Sequence, residues 1–298
     1  MSVGQIHDLG YKRYAGARRS VDSRWTVIMR HQLASAWKTW WRYKAVLALA
    51  VIVTFVAGGF MYLASDQRVR AFGRAGIPQM MKEVAIPVAL QWYCRIAFLL
   101  SLTLSAGVVA TDMQSGAFTF YFARSIRPVD YVIGKLAGMV LLVATITLAG
   151  PVLLAALRIG LSGDDTESLA DALPVLLKVF AIGGLATLVY AAVPLGFSAL
   201  VPNRRYALAL WAAYYLVVGA MAIGIGYATS HSLGALQLPS AIEAVTLRLF
   251  DVEILHGLDA KVPLSAGLIS IGAHVVVAIG LVGWRVRAAQ QSGVGGAT

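Results

Sequence analysis

The sequence predicts an all-α, polytopic membrane protein with six transmembrane helices, and three observations support this prediction. Hydrophobic residues make up 59% of the 298-residue chain, and charged residues only 13%, about half of the share that soluble domains carry. The mean hydropathy is +0.73. Six apolar runs are long enough to cross about 30 Å of hydrocarbon as helices. These observations exclude a soluble enzyme, a disordered chain and a fibrous repeat.

The apolar runs define the predicted domain organisation. Each run is too long for a strand, and a helix satisfies its own backbone hydrogen bonds in lipid. The runs cover residues 45–64, 85–110, 136–157, 173–201, 206–228 and 262–284. The predicted parts are a basic tail (1–21), an N-terminal helix (22–43), a six-span domain (44–284) that includes a long outer segment (230–261), and a C-terminal tail (285–298).

Positive charge is concentrated in the segments on one side of the predicted spans. The two tails and the loops after the second and fourth spans hold sixteen Lys or Arg residues and four acidic residues. The other three loops hold seven basic and ten acidic residues. Because Lys and Arg collect in cytoplasmic loops, both termini are predicted to be cytoplasmic. The net charge of +11 is therefore a topology signal, and we expect no nucleic-acid partner.

Residues 22–43 predict an amphipathic helix that lies along the membrane interface. At about 100° per residue, apolar and tryptophan side chains gather on one face, and cationic side chains lie almost opposite. This pattern is typical of interfacial helices, and the tryptophans at its end favour an aromatic belt beside the lipid bilayer. The alternative is an amphipathic helix docked on protein. The predicted anchor residues are Trp25, Met29, Leu33, Trp37, Trp40 and Trp41.

The loop after the second span is unusually aromatic for a cytoplasmic loop. Asp112 can cap a short helix, Gly116 permits a bend, and arginines flank the aromatic side chains. This composition is typical of a surface that docks into a groove on a partner protein, and the alternative is a loop that dips into the headgroups. The predicted contact residues in the segment 111–130 are Asp112, Gly116, Phe118, Phe120, Tyr121, Phe122, Arg124, Arg127 and Pro128, with Arg204 and Arg205 as a second, minor contact.

The order of these parts resembles that of the permease subunits of type-2 ABC exporters. Those subunits have an interfacial helix, six spans and a cytoplasmic coupling helix between the second and third spans. The resemblance is sharpest in the stretches DMQSG (112–116), FYFARSIRP (120–128) and YVIGK (131–135). The chain departs from the family pattern in two places: Ala117-Phe118 replaces the commoner Thr-Leu, and three residues, 125–127, are inserted before the proline.

The resemblance implies a mechanism and a set of partners. Two permease copies, or one copy and a paralogue, would pair, and each would lay its coupling helix into a cleft on one of two ABC ATP-binding subunits. ATP and Mg²⁺ would bind to those subunits, because this chain has no G-x-x-x-x-G-K-[ST] phosphate loop. We therefore expect a non-catalytic permease without a cofactor or metal of its own, located in the bacterial inner (cytoplasmic) membrane as a multi-pass protein.

Polar side chains on the second span mark a predicted substrate path. An arginine at a helix centre costs about 2.5–3.5 kcal/mol on insertion scales, and such residues usually face a bundle interior or water. Gln91, Trp92, Tyr93 and Arg95 form a polar and aromatic cluster that would contact an anionic or amphipathic substrate. Alternatively, Arg95 reaches toward outer headgroups or pairs with a carboxylate of an outer loop. The outer segment is predicted to form a helix or hairpin over the outer mouth.

Two other function classes stay open at this point. A secondary transporter or channel would work without an ATPase, and it is disfavoured because the predicted spans contain no acidic residue. A membrane scaffold or intramembrane enzyme would act independently of any nucleotide. No His/Glu metal spacing and no G-x-S-x-G turn is present to favour an enzyme.

Overall fold

The computed structural model describes residues 23–38, 43–66, 77–123, 126–161, 166–252 and 261–295, and the side chains of 77–82, 166–172 and 292–295 are outside this description. Within the described ranges the regular secondary structure is entirely helical. The predicted all-α fold class is therefore confirmed. The predicted basic tail and the side chains of Trp40, Trp41 and Arg124 lie outside the described residues.

Six helical segments within the described residues are long and apolar enough to cross a membrane, which confirms the six predicted runs and gives the architecture of a multi-pass membrane protein. Spans 2 and 3 both extend beyond their predicted limits toward the loop that joins them. In chain order, spans 1 to 6 cover Ala45–Ser65, Glu83–Gln114, Pro128–Gly160, Leu173–Leu200, Arg204–Ala228 and Leu264–Gln291.

The described α-helices fill these spans and the segments between them. In chain order they are α1 (Arg24–Lys38), α2 (Ala45–Ser65), α3 (Ile77–Leu100), α4 (Val108–Gln114), α5 (Ala117–Ala123), α6 (Pro128–Thr147), α7 (Ala149–Gly160), α8 (Thr166–Leu200), α9 (Arg204–Ala213), α10 (Gly219–Ala228), α11 (Leu238–Phe250) and α12 (Leu264–Gly295). Two π-helical segments, Ser101–Ser105 and Tyr214–Val218, interrupt spans 2 and 5. A short 3₁₀-helix, His231–Leu236, precedes α11.

Span 3 is divided into two helices, and a proline explains the division. Pro151 has no N–H to donate to the carbonyl four residues earlier, and its ring crowds that carbonyl. The helix accordingly breaks at Leu148, between α6 and α7. Gly183 of span 4 packs beside this break, where a Cβ would lie only 2.5 Å from the Thr147 carbonyl oxygen. Spans 3 and 4 thus meet backbone to backbone.

The N-terminal helix α1 packs on span 3. Its buried residues are Ile28, Gln32 and Ala36. A Cβ at Gly134 of α6 would lie 2.7 Å from the Trp25 carbonyl oxygen and 2.8 Å from the Ile28 Cβ. The absence of a side chain at this glycine therefore lets the two helices approach closely.

The predicted interfacial anchors that the structure describes lie beside this contact rather than at its centre. Trp25, Met29 and Leu33 are half-buried. Trp37 is 58% exposed, and its ring centroid lies 5.9 Å from that of Tyr43 and 5.1 Å from the Lys44 ammonium. The face of α1 that packs on span 3 is therefore centred on Ile28 and Gln32. It is rotated around the helix axis from the face that the periodicity indicates.

Short segments cover the two ends of the bundle. At one end, the α1 end, lie α1, α4, α5 and the start of α9, and Arg285 of span 6 donates from Nε to the Met113 sulfur at 3.0 Å. At the opposite end, the α11 end, α11 is buried against spans 2, 4 and 6 through Ala241, Ile242 and Val245. Of the two forms predicted for the outer segment, a helix or a hairpin, its described part thus contains a helix, α11.

Candidate coupling and substrate sites

The predicted coupling segment folds into two short helices, α4 and α5, at the α1 end. Gly116 joins them with a φ of 67°, a left-handed conformation that costs an L-residue about 1–2 kcal/mol. Nothing lies within 4 Å of the position that a Cβ would take. Glycine is therefore favoured at this position by the backbone conformation and not by a lack of space for a side chain.

Asp112 connects span 2 to span 3. Its Oδ2 lies 2.8 Å from the Lys135 Nζ and accepts a hydrogen bond of 2.7 Å from the Tyr131 hydroxyl. The Lys135 and Asp112 side chains are only 8% and 15% exposed. Asp112 lies within α4 and does not cap a helix as expected; the carboxylate near the start of α6 that accepts a backbone N–H is that of Asp130, from Arg127 at 3.1 Å.

Aromatic packing fixes one face of α5 to span 3. Phe118 is buried and meets the Tyr131 ring edge-on with centroids 5.2 Å apart. It also stacks on Phe122, and Tyr121 lies 5.6 Å from Tyr131. Burial raises the pKa of the Tyr121 hydroxyl, and the Asp112 carboxylate raises it further. Tyr121 is therefore a neutral phenol at neutral pH, and it adds no charge to the aromatic contact between α5 and span 3.

Phe120 lies on the other face of α5 and is 72% exposed. Among the other predicted contact residues, Arg127 is exposed and Pro128 is the first residue of α6. The second predicted contact begins α9, where the Asn203 side chain accepts a 2.9 Å hydrogen bond from the Arg205 N–H. Arg204 lies against span 2, with its Cγ 2.6 Å from the position of a Cβ on Gly107. The two predicted contacts are therefore at one end of the bundle.

The α11 end carries a polar cavity of about 420 Å³ between spans 2 and 5 and α11. Gln91 and Arg95, both predicted for the substrate path, line it together with Tyr215 of span 5 and Glu243 of α11. Gln91 donates from Nε2 to the Glu243 Oε1. The remaining polar lining consists of Gln237, Ser240 and Thr246.

The other two predicted path residues do not line this cavity. Trp92 is half-exposed beside it, and the Arg95 guanidinium lies 4.6 Å from its ring centroid in a cation–π contact. Tyr93 is fully buried on the opposite face of α3, where its hydroxyl hydrogen-bonds to Thr54 at 2.7 Å. Residues four apart share a helix face, as Gln91 and Arg95 do, and Tyr93 lies between them in sequence on the other side.

Sequence reasoning missed the partners that complete both sites. Lys135 and Tyr131 belong to the quoted YVIGK stretch, but nothing in their spacing identifies Asp112 as their common partner. Glu243 is a lone carboxylate in an apolar helical stretch, which marks it as unusual without indicating its contact with Gln91. The predicted runs contain no acidic residue, but the spans of the structure are longer than these runs and include Glu83 and Asp112 in span 2 and Asp130 in span 3.

The chemistry of the two sites differs. The α1 end offers a neutralised ion pair and an exposed aromatic side chain, which suit contact with a protein. The α11 end offers a cation, a carboxylate and amides around a cavity, which suit a polar or amphipathic ligand. Among the described residues, no three His, Cys, Asp or Glu side chains are grouped to hold a metal ion.

Comparison with known proteins does not identify the function, which is therefore inferred from the geometry of the two sites. The chain matches no protein-family model, and no curated protein matches it.

Proposed function

We propose that this chain is the transmembrane permease subunit of an ATP-driven exporter of the type-2 ABC kind. In this proposal it forms the translocation path, and separate ATP-binding subunits supply the energy. The chain itself is non-catalytic and binds no cofactor, and ATP and Mg²⁺ bind to the partner. Two ATP-binding subunits and two permease copies, most simply a homodimer, complete the transporter in the bacterial inner membrane.

The two faces of α5 are the observation that carries this proposal. One face is fixed to span 3 by Phe118, whereas Phe120 on the other face is 72% exposed. An exposed aromatic side chain on a short, well-anchored helix is a typical anchor for a protein groove. A cleft on a partner is therefore a better environment for Phe120 than water.

The connection between α5 and the spans supports a lever function. Asp112 precedes α5 on span 2, and Lys135 follows it on span 3, and their ion pair spans 2.8 Å. Movement of a partner that grips α5 is thereby transmitted to two spans at once, as rigid packed elements transmit shifts in other switching proteins. Arg285 of span 6 also contacts α4 through Met113. A third span is therefore connected to the segment that holds α5.

The cavity at the α11 end is the proposed substrate contact. Arg95 would attract an anionic or amphipathic cargo, and Glu243 with its hydrogen bond from Gln91 would close the opposite wall. Charged groups inside a membrane domain most often mark substrate pathways. The distribution of Lys and Arg favours a cytoplasmic α1 end, an orientation in which α5 would face the ATPases and this cavity would face outward.

The test is co-purification with an ATP-binding subunit encoded by an adjacent reading frame, followed by measurement of ATP hydrolysis. Because Phe120 makes little packing contact, Phe120→Asp should leave the chain folded and reduce association with the ATPase by roughly tenfold or more, as expected for the loss of one interface anchor. Val27→Asp, at an exposed position of α1 outside the predicted contact segment, is the matched control and should retain the ATPase.

Association and coupled ATP hydrolysis that survive Phe120→Asp unchanged would contradict the coupling function of α5. Orientation provides an independent check. A cysteine placed at Phe120 should react with a membrane-impermeant maleimide only from the cytoplasmic side. The native Cys94 is buried, and a Cys94→Ser background removes its contribution.

A secondary transporter is the second candidate, and Glu243 is the observation that favours it. A carboxylate held against span 2 resembles the acidic relays that couple transport to proton movement. This alternative predicts transport into vesicles that contain no ATP but carry an ion gradient. Transport that stops without ATP and an ATPase would exclude it.

A further inference from the structure

Arg95 is an exposed cation that lies well inside span 2. It follows the first residue of the span, Glu83, by twelve residues, which is about 18 Å along the helix axis. Its guanidinium lies over the Trp92 ring, and no carboxylate among the described residues forms an ion pair with it. An arginine at such a depth is costly unless it meets water or a group of opposite charge. The position therefore favours an anion beside Arg95.

The guanidinium keeps its hydrogen-bonding capacity in this arrangement. A cation–π contact such as that with Trp92 satisfies none of the five N–H donors of an arginine. These donors form a planar fork that matches two oxygens of a carboxylate or phosphate group. Arg95 also lines the polar cavity of about 420 Å³ at the α11 end, which gives such a group space. The favoured ligand group is therefore an oxyanion.

Glu243 restricts where this oxyanion can lie. The Glu243 carboxylate accepts a hydrogen bond from the Gln91 amide. At about 100° per residue, Gln91 lies about 40° to one side of Arg95 around the helix, and Trp92 lies about 60° to the other side. Because like charges repel, the oxyanion is favoured on the side of the guanidinium that faces Trp92.

Trp92 also lines a second cavity, which is apolar, has a volume of about 540 Å³ and lies between spans 1 and 2. Its lining extends from Ile52 to Phe60 on span 1 and from Val84 to Trp92 on span 2, and it contains no charged residue. Each of these stretches covers about 12 Å along its helix axis. Ile52, Phe60 and Trp92 are about half exposed, so that the described part of the chain leaves this apolar cavity uncovered.

The contact between Arg95 and Trp92 joins the two cavities, because Arg95 lines the polar one and Trp92 lines the apolar one. A small free anion would use only the first cavity, and a hydrocarbon chain without a charge would use only the second. A molecule that carries an oxyanion at the end of an apolar chain matches both.

We infer that the cargo of this chain is an amphiphile that binds with an oxyanion head at Arg95 and with an alkyl chain in the apolar cavity between spans 1 and 2. This inference rests on the proposed transport function, because it names the class of molecule that the permease carries. Binding at the site needs no ATPase, however, and can be measured on the permease alone.

The experiment uses the full chain in phosphatidylcholine nanodiscs and hexadecyl phosphate that carries a photoreactive diazirine near the end of its chain. After irradiation, peptide mass spectrometry should find the label on residues 52–60 and 84–92. Hexadecanol with the same diazirine, which has the chain without the charge, should label them roughly tenfold less, the effect of losing one charge-assisted hydrogen bond. Arg95→Gln should reduce labelling by the phosphate to the level of the alcohol. Lys178→Gln is the matched control, because Lys178 is a cation of span 4 that lines neither cavity; it should retain the label.

A second pair of variants tests the position of the chain. Val56 lines the apolar cavity and is 53% exposed, whereas Val51 of the same span is 45% exposed and does not line it. Val56→Trp should reduce labelling roughly tenfold, because the indole displaces about two methylene groups of the probe. Val51→Trp should leave labelling unchanged. Both variants place the larger side chain at an exposed position, so that they should unfold at the same temperature.

Equal labelling by the phosphate and the alcohol, or unchanged labelling of Arg95→Gln, would overturn the oxyanion head at Arg95. Equal loss of labelling in Val56→Trp and Val51→Trp would overturn the position of the chain. Inorganic phosphate that competes as well as unlabelled hexadecyl phosphate would assign Arg95 to a free anion and overturn the amphiphile. None of these results affects the association of the chain with an ATPase, so that failure of this inference is distinguishable from failure of the proposed function.

Discussion

Asp112 belongs to span 2 and Glu243 of α11 lies against the same span, but the surroundings of the two carboxylates differ. Asp112 is 15% exposed, lies 2.8 Å from a lysine ammonium and accepts a hydrogen bond from a tyrosine. Glu243 is half-buried, accepts from the Gln91 amide and faces a cavity of about 420 Å³ that it shares with Arg95. The first carboxylate is committed to the fold, whereas the second has space beside it for another group. Such a difference is expected between a carboxylate that holds two spans together and a carboxylate that lines a ligand-binding cavity.

Among the substitutions that test this comparison, one at Lys135 should have the largest effect on the free energy of unfolding. Lys135→Met leaves the Asp112 carboxylate without its counter-charge in a mostly buried position, which should lower the free energy of unfolding by about 3–5 kcal/mol. Thermal unfolding in detergent, followed by tryptophan fluorescence, measures this loss. The double variant Asp112→Asn with Lys135→Met should recover most of the stability. A double variant as unstable as the single one would show that packing, not charge, is responsible.

The next largest effect on stability is expected from substitution of two phenylalanines on α5. Phe118→Ala removes a buried ring and should cost about 3 kcal/mol, whereas Phe120→Ala should change the free energy of unfolding by less than about 0.5 kcal/mol because the ring is exposed. The same unfolding measurement separates them. If the two variants were equally unstable, α5 would not have one fixed and one exposed face.

The turn between α4 and α5 should show a smaller effect. Gly116→Ala forces an alanine into a left-handed conformation and should cost about 1–2 kcal/mol, without a clash, since nothing lies near the Cβ position. Gly116→Asn should cost less, because asparagine tolerates this conformation better. Equal unfolding temperatures for wild type and Gly116→Ala would indicate that the turn relaxes at no cost.

The smallest effects are expected at the α11 end. Glu243→Ala removes the acceptor of the Gln91 hydrogen bond and should cost about 1 kcal/mol, and Glu243→Gln, which retains an acceptor, should cost less. Unfolding measurements on both variants, compared with Lys135→Met, test whether the two carboxylates differ as proposed. A loss at Glu243 as large as the loss at Lys135 would remove the distinction between the two ends.

The sequence predicted the fold well because a bilayer imposes few solutions. Every backbone polar group in the hydrocarbon must be paired within its own segment, so that long apolar runs can only be helices in this chain. The same argument does not reach Asp112 or Glu243. Their partners lie nineteen or more residues away, and only the packing of spans and α11 brings them together.

The N-terminal helix shows the limit of periodicity. The helical period groups Trp25, Met29 and Leu33 correctly on one face, yet the residues buried against span 3 are Ile28, Gln32 and Ala36. The docking face depends on where the partner helix has no side chain, which here is Gly134. A polar residue such as Gln32 can therefore be buried, and hydrophobicity alone does not identify it.

Both sites also depend on the π-helical segment Ser101–Ser105, which lies between them on span 2. A π turn contains one residue more than an α turn, and one residue corresponds to about 100° of rotation. The segment thus sets the angular phase of Asp112 relative to Gln91. Deleting one of its residues would swing Asp112 about a quarter-turn away from Lys135 while Gln91 kept its place. The indole N–H of Trp211 on span 5, which donates to the Ser101 hydroxyl at 2.9 Å, holds that phase in register.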